Sequence, residues 1–255
     1  MYTLKYVSMG TTQKLEHASS AAVGTEPVVA LDELATLGRG LVRPECVLTN
    51  RHGDVYCADW RGGVAHLRPD GTQALYRGRM PDGADPKPNG IALLPNGDFL
   101  FAHLGSDSGG VFRLTRGGII MPWLTAVDGQ PLPPTNFVLP DAAGRTWITV
   151  STRRMPRALG YRADCDDGFI VCVRPDGSAR IAADGLGYTN EVAIHPDGRW
   201  LYVNETFARR LSRFPLQADG SLGPRETVTQ FGAGDFPDGL AFDDFGRLWI
   251  QTDGS

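Results

Sequence analysis

Short apolar runs and polar turns alternate along the chain in a pattern that repeats five times. Each repeat opens with Asn, Asp or Glu, continues with a mostly apolar run, and reaches a glycine eight positions after its opening residue. A second run, largely apolar or β-branched, follows that glycine. Two such runs joined by a glycine-containing turn predict a β-hairpin. The five predicted hairpins span residues 45–59, 89–103, 136–150, 190–204 and 238–252.

Further short runs of strand-forming residues follow the hairpins, for example at 64–67 and 74–76 after the first. The unit therefore contains four strands, and successive units begin 44, 47, 54 and 48 residues apart. Four-stranded units of about 40–50 residues are typical of β-propeller blades. The sequence lacks any long 3.6-residue periodicity, which argues against a helical solenoid. We therefore predict an all-β protein, a β-propeller with four-stranded blades.

The spacing of the repeats also predicts the domain organisation. We interpret residues 1–25 as a partly disordered N-terminal tail and residues 26–255 as a single, incomplete propeller domain. Five repeats are visible, and the average spacing leaves no room for a sixth opening residue before Ser255. The expectation is a propeller of the six-bladed type with a truncated C-terminus. A divergent five-bladed ring is the alternative.

The opening residues of the repeats form a column of oxygen-bearing side chains. In a propeller the first strand of each blade lines the axis, so equivalent positions on these strands form a ring at one mouth of the channel. Turns also favour Asn and Asp, which would explain any one position alone, but the column holds three of the six asparagines. Carboxylates gathered in such a ring would repel one another, and the amides would lack binding partners, unless a cation lay among them. The column consists of Glu45, Asn89, Asn136, Asn190 and Asp238.

Such hard oxygen ligands favour one divalent cation, Ca²⁺ before Mg²⁺, Mn²⁺ or Zn²⁺. The bulk composition points to a small-molecule partner. The net charge of −4 and the absence of a long apolar stretch give no reason to expect nucleic acid or a membrane. The first residues lack the apolar core of a secretory signal, so the cytoplasm is the expected location.

No CxxC pair occurs among the four cysteines. Hairpin register predicts that Cys46 and Cys57 face each other, both reduced.

The segments around four column residues resemble the gluconolactonase/regucalcin (senescence marker protein) family of six-bladed propellers, with paraoxonases as distant relatives. The matching segments are Arg-Pro-Glu-Cys-Val at Glu45, Pro-Thr-Asn-Phe-Val at Asn136, Tyr-Thr-Asn-Glu-Val-Ala-Ile-His-Pro-Asp-Gly at Asn190, and Phe-Pro-Asp-Gly-Leu-Ala-Phe-Asp at Asp238. The resemblance extends from about residue 40 to the end. It implies a divalent cation held by those four side chains and hydrolysis of a lactone ring.

One departure from the family concerns the substrate. Regucalcin-type members carry an arginine two residues before the third-blade asparagine, where this chain has Pro134. This difference argues against gluconolactone itself as the natural substrate. Asn89 belongs to the column but is not a standard ligand of the family, so we interpret it as a substrate contact or as a neighbour of the ligands.

The resulting hypothesis is metal-dependent hydrolysis of a small sugar-type lactone. The cation would polarise the carbonyl, Asp238 would act as the general base, and Glu45 would chiefly balance charge. The sequence lacks a Gly-x-Ser-x-Gly motif, which argues against a serine nucleophile. Two alternatives stay open: a sugar-acid dehydratase that uses the same metal site, and a non-catalytic calcium- or metabolite-binding propeller.

Loops that follow the second strands return to the same mouth and supply further candidates for binding a lactone or sugar acid. The insertion at 151–168 carries four arginines, Arg153, Arg154, Arg157 and Arg162. It is interpreted either as a partly mobile basic lid that selects an acidic or phosphorylated lactone or as a solvated loop with scattered charge. The tryptophans of the second strands, Trp147, Trp200 and Trp249, are predicted to lie in the core. The candidate substrate-binding residues are Asn89, Trp60, His103, Arg153, Arg154 and Glu205, with a purely structural His103 as an alternative.

Overall fold

The computed structural model describes residues 2–6 and 35–254, which form strands, turns and one short 3-10 helix. Four antiparallel sheets of four strands follow one another along the chain. They are β3 (Glu45–Thr49), β4 (Val55–Asp59), β5 (Gly63–Leu67) and β6 (Gln73–Arg77); β7 (Pro88–Leu93), β8 (Phe99–His103), β9 (Val111–Leu114) and β10 (Ile120–Leu124); β13 (Thr135–Pro140), β14 (Thr146–Val150), β15 (Gly168–Val173) and β16 (Ala179–Leu186); and β17 (Thr189–Ile194), β18 (Trp200–Glu205), β19 (Arg210–Pro215) and β20 (Glu226–Gln230).

Smaller elements complete the described chain. A fifth sheet consists of β21 (Asp235–Phe242) and β22 (Leu248–Gly254), and a short hairpin of β11 (Ala126–Val127) and β12 (Gln130–Pro131) links the second and third blades. Near the other end, β1 (Tyr2–Tyr6) pairs with β2 (Ala35–Leu41). The rest of the predicted tail and its boundary with the propeller lie outside the described residues. No helix of the described residues is long and apolar enough to cross a membrane.

The first strands of the blades pack against one another in chain order, β3 on β7, β7 on β13, β13 on β17 and β17 on β21. Each sheet then runs outward through its second, third and fourth strands. This arrangement confirms the predicted propeller with four-stranded blades. The inner strands approach closely at Gly90, where a Cβ atom would lie 2.6 Å from Cα of Phe137.

The hydrophobic core lies between neighbouring blades. Tyr56 and Val64 of the first blade pack with Phe99 of the second, and equivalent clusters lie between each later pair. Leu41 of β2 packs with Val55 and neighbouring residues on the other face of the first blade. Burial of apolar side chains between sheets therefore fixes the position of each blade relative to the next.

The predicted glycine turns are present in all five hairpins. The glycines have left-handed φ angles between 72° and 86°, a region that other residues rarely adopt. Each turn reverses the chain at the end of the hairpin that is remote from the column residues. The five glycines are Gly53, Gly97, Gly144, Gly198 and Gly246.

Two sequence predictions about individual side chains are wrong. Val47, and not Cys46, lies opposite Cys57, because β3 contains one extra residue between Glu45 and Val47. The Cys46 thiol instead lies 3.5 Å from the Ile91 carbonyl oxygen, as a donor to it, and all four cysteines are free. Trp147 is fully buried as predicted, but Trp249 is 42% exposed, since no third strand pairs with β22 in the described chain.

Candidate functional site

The same backbone irregularity occurs at the start of every inner strand. In each pair of first and second strands, the first strand carries one extra residue, at or next to the column position. Such a β-bulge interrupts the ladder and turns a side chain out of the sheet's regular alternation. Five bulges at equivalent positions therefore direct five column side chains toward the axis.

All five column residues line one cavity of 160 Å³. Each of the five propeller sheets contributes one of them: Glu45, Asn89, Asn136, Asn190 and Asp238 lie on the first strands of successive sheets. A second cavity of 890 Å³ adjoins it between β3 and the β21–β22 hairpin, and Glu45, Asp238 and Asp253 line both. The four predicted ligands are thus brought together at one mouth of the propeller.

The asparagine amides are oriented by donors and acceptors of the protein. Asn136 donates through Nδ2 to Ser151 Oγ at 3.1 Å, and Asn190 donates through Nδ2 to Thr206 Oγ1 at 3.0 Å and to Asp238 Oδ1. No donor among the described residues contacts Oδ1 of Asn190. The nitrogen of each amide is therefore occupied. Asn136 Oδ1 also accepts from Asn89 Nδ2 at 3.4 Å, and because a carbonyl oxygen has two lone pairs, each amide oxygen can still bind a ligand.

Asn89 differs from the other asparagines of the column. Its Nδ2 donates to the Asn136 backbone carbonyl at 3.1 Å, and its Oδ1 accepts from Arg43 Nη1 at 2.8 Å. Both ends of this amide are thus engaged by the protein. Asn89 braces Asn136 and Arg43 at the edge of the cavity.

The carboxylates of the cavity raise one another's pKa. Burial, followed by the charges of Glu45 and Asp253, raises the pKa of Asp238 to about 6. Burial also raises the pKa of Glu45, against the opposing effect of Arg43. Glu191, next to Asn190 on β17, is partly buried and lines the larger cavity. Burial raises its pKa to about 8, although the Leu240 backbone N–H donates to it at 3.2 Å. The site therefore brings partly buried carboxylates close to one another, which favours their protonated forms unless a positive charge is present.

The residues of this cavity fit a hard divalent cation. Within residues 35–253 no three His, Cys, Asp or Glu side chains are grouped closely enough to hold a metal alone. A cation in this cavity would therefore need the amide oxygens of Asn136 and Asn190 in addition to the carboxylates of Glu45 and Asp238. Two carboxylates and two amide oxygens are the donors that Ca²⁺ prefers, and mutual repulsion of the carboxylates would be relieved by a cation.

A guanidinium group enters the cavity from the segment before β3. Arg43 pairs with Glu45 Oε1 at 2.9 Å, and its Cζ lies 4.5 Å from the centre of the Trp60 ring. Trp60 is held by its own Nε1, which donates to the Pro88 carbonyl at 3.0 Å. Arg43 adopts a left-handed φ of 47°, a costly conformation for a residue with a side chain. The fold thus holds this arginine at the site against backbone strain.

Aromatic side chains form one wall of the cavity, which we call the aromatic wall and define as Tyr161, Tyr188 and Phe207. Tyr161 stacks on Phe207 at 4.9 Å between ring centres, and Tyr188 meets Phe207 edge to face at 4.8 Å. Tyr161 belongs to the 151–168 insertion and follows its short 3-10 helix, Arg157–Gly160. The insertion therefore reaches the cavity and contributes Arg157 to its lining.

The other predicted substrate-binding residues lie outside this lining. Trp60 supports Arg43 from behind. His103 Nδ1 accepts from the Lys87 backbone N–H at 3.2 Å, and burial, with the nearby Lys87 charge, lowers its pKa to about 4. Glu205 is fully buried and accepts from Arg210, Ser212 and the Gly187 backbone.

Arg153 and Arg154 are likewise engaged within the insertion and its surroundings. Arg153 pairs with Asp184 at 2.8 Å, and its Cζ lies 4.2 Å from the centre of the Phe169 ring. Arg154 lies 3.1 Å from Cys165 Sγ and 3.5 Å from Asp167. These contacts hold the insertion together beside the cavity.

Several residues of the cavity were not singled out by the sequence. Arg43 lies within a segment quoted for Glu45, and Glu191 directly follows Asn190, so adjacency to a column residue was a usable signal for both. Tyr188 likewise opens the segment quoted for Asn190, whereas Tyr161, Phe207 and Asp253 come from segments that lack a column residue. Only the folded arrangement reveals their proximity.

Comparison with known proteins relates the chain to one family. Residues 44–254 match the family described as SMP-30/Gluconolactonase/LRE-like region. The 6-deoxy-6-sulfogluconolactonase of Pseudomonas putida is 35% identical over 117 residues, which are 45% of this chain and 38% of that protein. The match thus spans less than two thirds of that relative's length.

Two solved structures share the fold. A gluconolactonase from Xanthomonas campestris superposes with a TM-score of 0.66 at 23% identity, over 82% of this chain and 70% of that one. Regucalcin from Agrobacterium tumefaciens, described as a calcium-binding protein, superposes with a TM-score of 0.63 at 20% identity, over 82% and 67%. At these identities the likeness establishes the propeller fold.

Proposed function

The chain belongs to the SMP-30/gluconolactonase/LRE-like family, and we propose that it hydrolyses the ring ester of a small sugar-type lactone at a divalent cation site. The relatives named as lactonases support the reaction class. The single observation that carries the proposal is the convergence of Glu45, Asn136, Asn190 and Asp238 on one cavity. We propose these four as the ligands and Ca²⁺ as the preferred ion, in keeping with their oxygen donors.

The proposed roles follow from the contacts of each side chain. A divalent cation, when bound, would polarise the lactone carbonyl and stabilise negative charge on its oxygen. Asp238 takes the proton of the attacking water, because its carboxylate faces the cavity and Asn190 holds it in orientation through Nδ2. The bond between the carbonyl carbon and the ring oxygen then breaks, and the ring oxygen leaves as a hydroxyl group after it receives that proton. Glu45 balances charge against Arg43. Asn136, oriented by Ser151, presents its carbonyl oxygen.

The surroundings of these ligands support a small organic substrate. The aromatic wall offers apolar ring faces beside polar groups, which is the usual composition of a small-molecule site. With a net charge of −4, the protein offers no excess of positive charge for nucleic acid. We further propose that it acts in the cytoplasm.

An assay of the metal-stripped protein tests the proposal. The full chain would be treated with a chelator, dialysed, and offered a panel of sugar lactones before and after addition of Ca²⁺, Mn²⁺, Mg²⁺ or Zn²⁺. Hydrolysis should be absent without metal and restored by at least one of the ions. Cation binding measured by calorimetry without turnover of any lactone would instead favour the non-catalytic, calcium- or metabolite-binding alternative.

A further inference from the structure

Arg157 is the arginine of the 151–168 insertion that lines the cavity. The other three arginines of the insertion pair with carboxylates, Arg153 with Asp184, Arg154 with Asp167 and Arg162 with Asp164. Among residues 35–253, Arg157 has no carboxylate partner. A guanidinium at a cavity without an ion-pair partner is free to bind an anion from solution.

The backbone around Arg157 is anchored to the aromatic wall. Tyr161 follows the 3-10 helix and packs against Tyr188 and Phe207, with ring centres 5.3 and 4.9 Å apart. Arg157 Cζ lies 5.9 Å from the centre of the Tyr161 ring. Gly160 is buried against Thr152, where a Cβ atom would lie 2.9 Å from the threonine side chain. These contacts fix the insertion and present Arg157 to the cavity.

Arg43 reaches the same cavity from the first blade. Its two terminal nitrogens are directed to Asn89 and Glu45, and Trp60 lies beneath its guanidinium plane. Its left-handed φ of 47° is an unfavourable backbone conformation that contacts elsewhere in the fold must stabilise. Arg43 and Arg157 thus line the same cavity as the Glu45 carboxylate.

The charges of the lining decide which substrate is favoured. Two guanidiniums face three carboxylates, Glu45, Asp238 and Asp253. A divalent cation bound to the proposed ligands would leave one excess positive charge in the cavity. Guanidinium groups bind carboxylate, phosphate and similar planar or tetrahedral oxyanions through paired N–H donors. A substrate that carries its own negative charge would therefore bind better than a neutral one.

We propose that Arg157, with Arg43 beside it, forms a subsite for an anionic substituent, so that the substrate is a sugar lactone bearing a carboxylate, sulfonate or phosphate group. This inference rests on the proposed lactone hydrolysis and names its substrate class. Arg157 is the selective element because it lies on the insertion and has no other charged partner in the described chain. Arg43 contributes charge while it also balances Glu45.

The test compares neutral and anionic lactones in matched variants. Values of kcat/KM would be measured for glucono-1,5-lactone and for its 6-phospho and 6-deoxy-6-sulfo derivatives, and for glucarolactone as the carboxylate. The wild-type protein should prefer one of the anionic lactones. Arg157→Gln should reduce that preference about 10- to 100-fold, the effect of losing a charged hydrogen-bonding partner. Arg157→Lys should retain part of it.

The control is Arg162→Gln, which removes an exposed arginine of the same insertion that pairs with Asp164 at 2.5 Å. This variant should keep the wild-type preference. Three results would overturn the subsite: a wild-type protein that prefers the neutral lactone, an Arg157→Gln variant that loses activity equally on both classes, or the same loss in Arg162→Gln. Circular dichroism would establish that each variant is folded.

A binding measurement separates failure of the subsite from failure of the proposed function. Calorimetry with Ca²⁺ present would compare gluconate with 6-phosphogluconate on the wild-type and Arg157→Gln proteins. Tighter binding of 6-phosphogluconate that depends on Arg157, without hydrolysis of any lactone, would support the subsite and refute the lactonase. Hydrolysis without any preference for an anionic substrate would refute the subsite and leave the lactonase intact.

Discussion

The two ends of the inner hairpins use the same residue types in opposite ways. At the glycine-turn end, acidic side chains are enclosed by donors: the Arg199 backbone N–H, helped by its side chain, lowers the pKa of Asp197 to about 2. At the bulge end, burial and neighbouring carboxylates raise the pKa of Asp238 to about 6. At the turn end each of these acids is matched by nearby donors, whereas at the bulge end three carboxylates, Glu45, Asp238 and Asp253, outnumber the two guanidiniums of the cavity. This difference separates structural acids from those available for chemistry.

At the turn end the same local arrangement occurs twice, in which an aspartate accepts hydrogen bonds from an arginine four residues later and a tryptophan six residues later. In the third blade Asp141 accepts from Arg145 Nε at 2.6 Å and from Trp147 Nε1 at 2.9 Å. In the fifth sheet Asp243 accepts from Arg247 and Trp249 at 2.6 and 2.9 Å, with the same spacing in sequence. Each acid is satisfied by residues within six positions of itself. No comparable donors lie so near to Asp238 in sequence.

The largest expected effect is on activity at the bulge end. Asp238→Asn should lower kcat/KM about 1,000-fold, because the variant loses both the proposed base and an anionic ligand. Steady-state assays with the best lactone of the panel would measure it. Asp235→Asn, on the same strand and exposed, is the matched control and should keep its activity. Near wild-type activity in Asp238→Asn would remove this residue from the mechanism.

The next effect is on stability at the turn end. Asp141→Asn should lower the free energy of unfolding by about 3 kcal/mol, because Arg145, with only 10% of its side chain exposed, would lose its partner. Asp243→Asn changes the same arrangement where the arginine is 52% exposed, and should cost less than about 1 kcal/mol. Urea unfolding of both variants would give these values. Equal losses of unfolding free energy in the two variants would show that burial of the arginine does not determine how much the Asp–Arg pair contributes.

A third effect couples the bulge end to the cation. Ca²⁺ at about 100 times its dissociation constant should stabilise the wild-type protein by about 2.7 kcal/mol. The Asp238→Asn variant should gain much less. Thermal unfolding with and without Ca²⁺ would measure both. If the two proteins gained equal stability, the ion would have to bind elsewhere.

The smallest effect concerns His103, whose pKa in the folded protein is about 4, against 6.5 when exposed. Between these values the unfolded chain binds the proton more readily than the folded protein does. His103 therefore lowers stability as pH falls from about 6.5 to about 4. His103→Gln should flatten that part of the stability profile in unfolding experiments at pH 7 and pH 5. An unchanged profile would indicate that His103 titrates normally.

The sequence predicted the parts of this molecule that depend on local repetition. The hairpins, their left-handed glycines and the column of oxygen-bearing residues all follow from patterns within single repeats. The bulges could not be predicted, because one extra residue changes which side chains face each other without changing the apolar pattern. This is why Cys46 was wrongly paired with Cys57. The exposure of Trp249 depends on which strands neighbour β22.

The composition of the cavity was predicted only in part for a similar reason. Glu45, Asn136, Asn190 and Asp238 occupy equivalent positions, so symmetry of the repeats was sufficient to group them. Arg43 and Arg157 occupy no equivalent positions and come from a strained turn and an insertion. Their convergence results from tertiary packing against Trp60 and the aromatic wall.

Crystals of the protein grown with Ca²⁺, or with Mn²⁺ for its anomalous signal, provide the most direct test of the central claim. One strong density peak is expected in the cavity, with oxygens of Glu45, Asn136, Asn190 and Asp238 within about 2.3–2.6 Å for calcium. A cation bound at another place, or an empty cavity at millimolar metal with these four side chains turned apart, would contradict it.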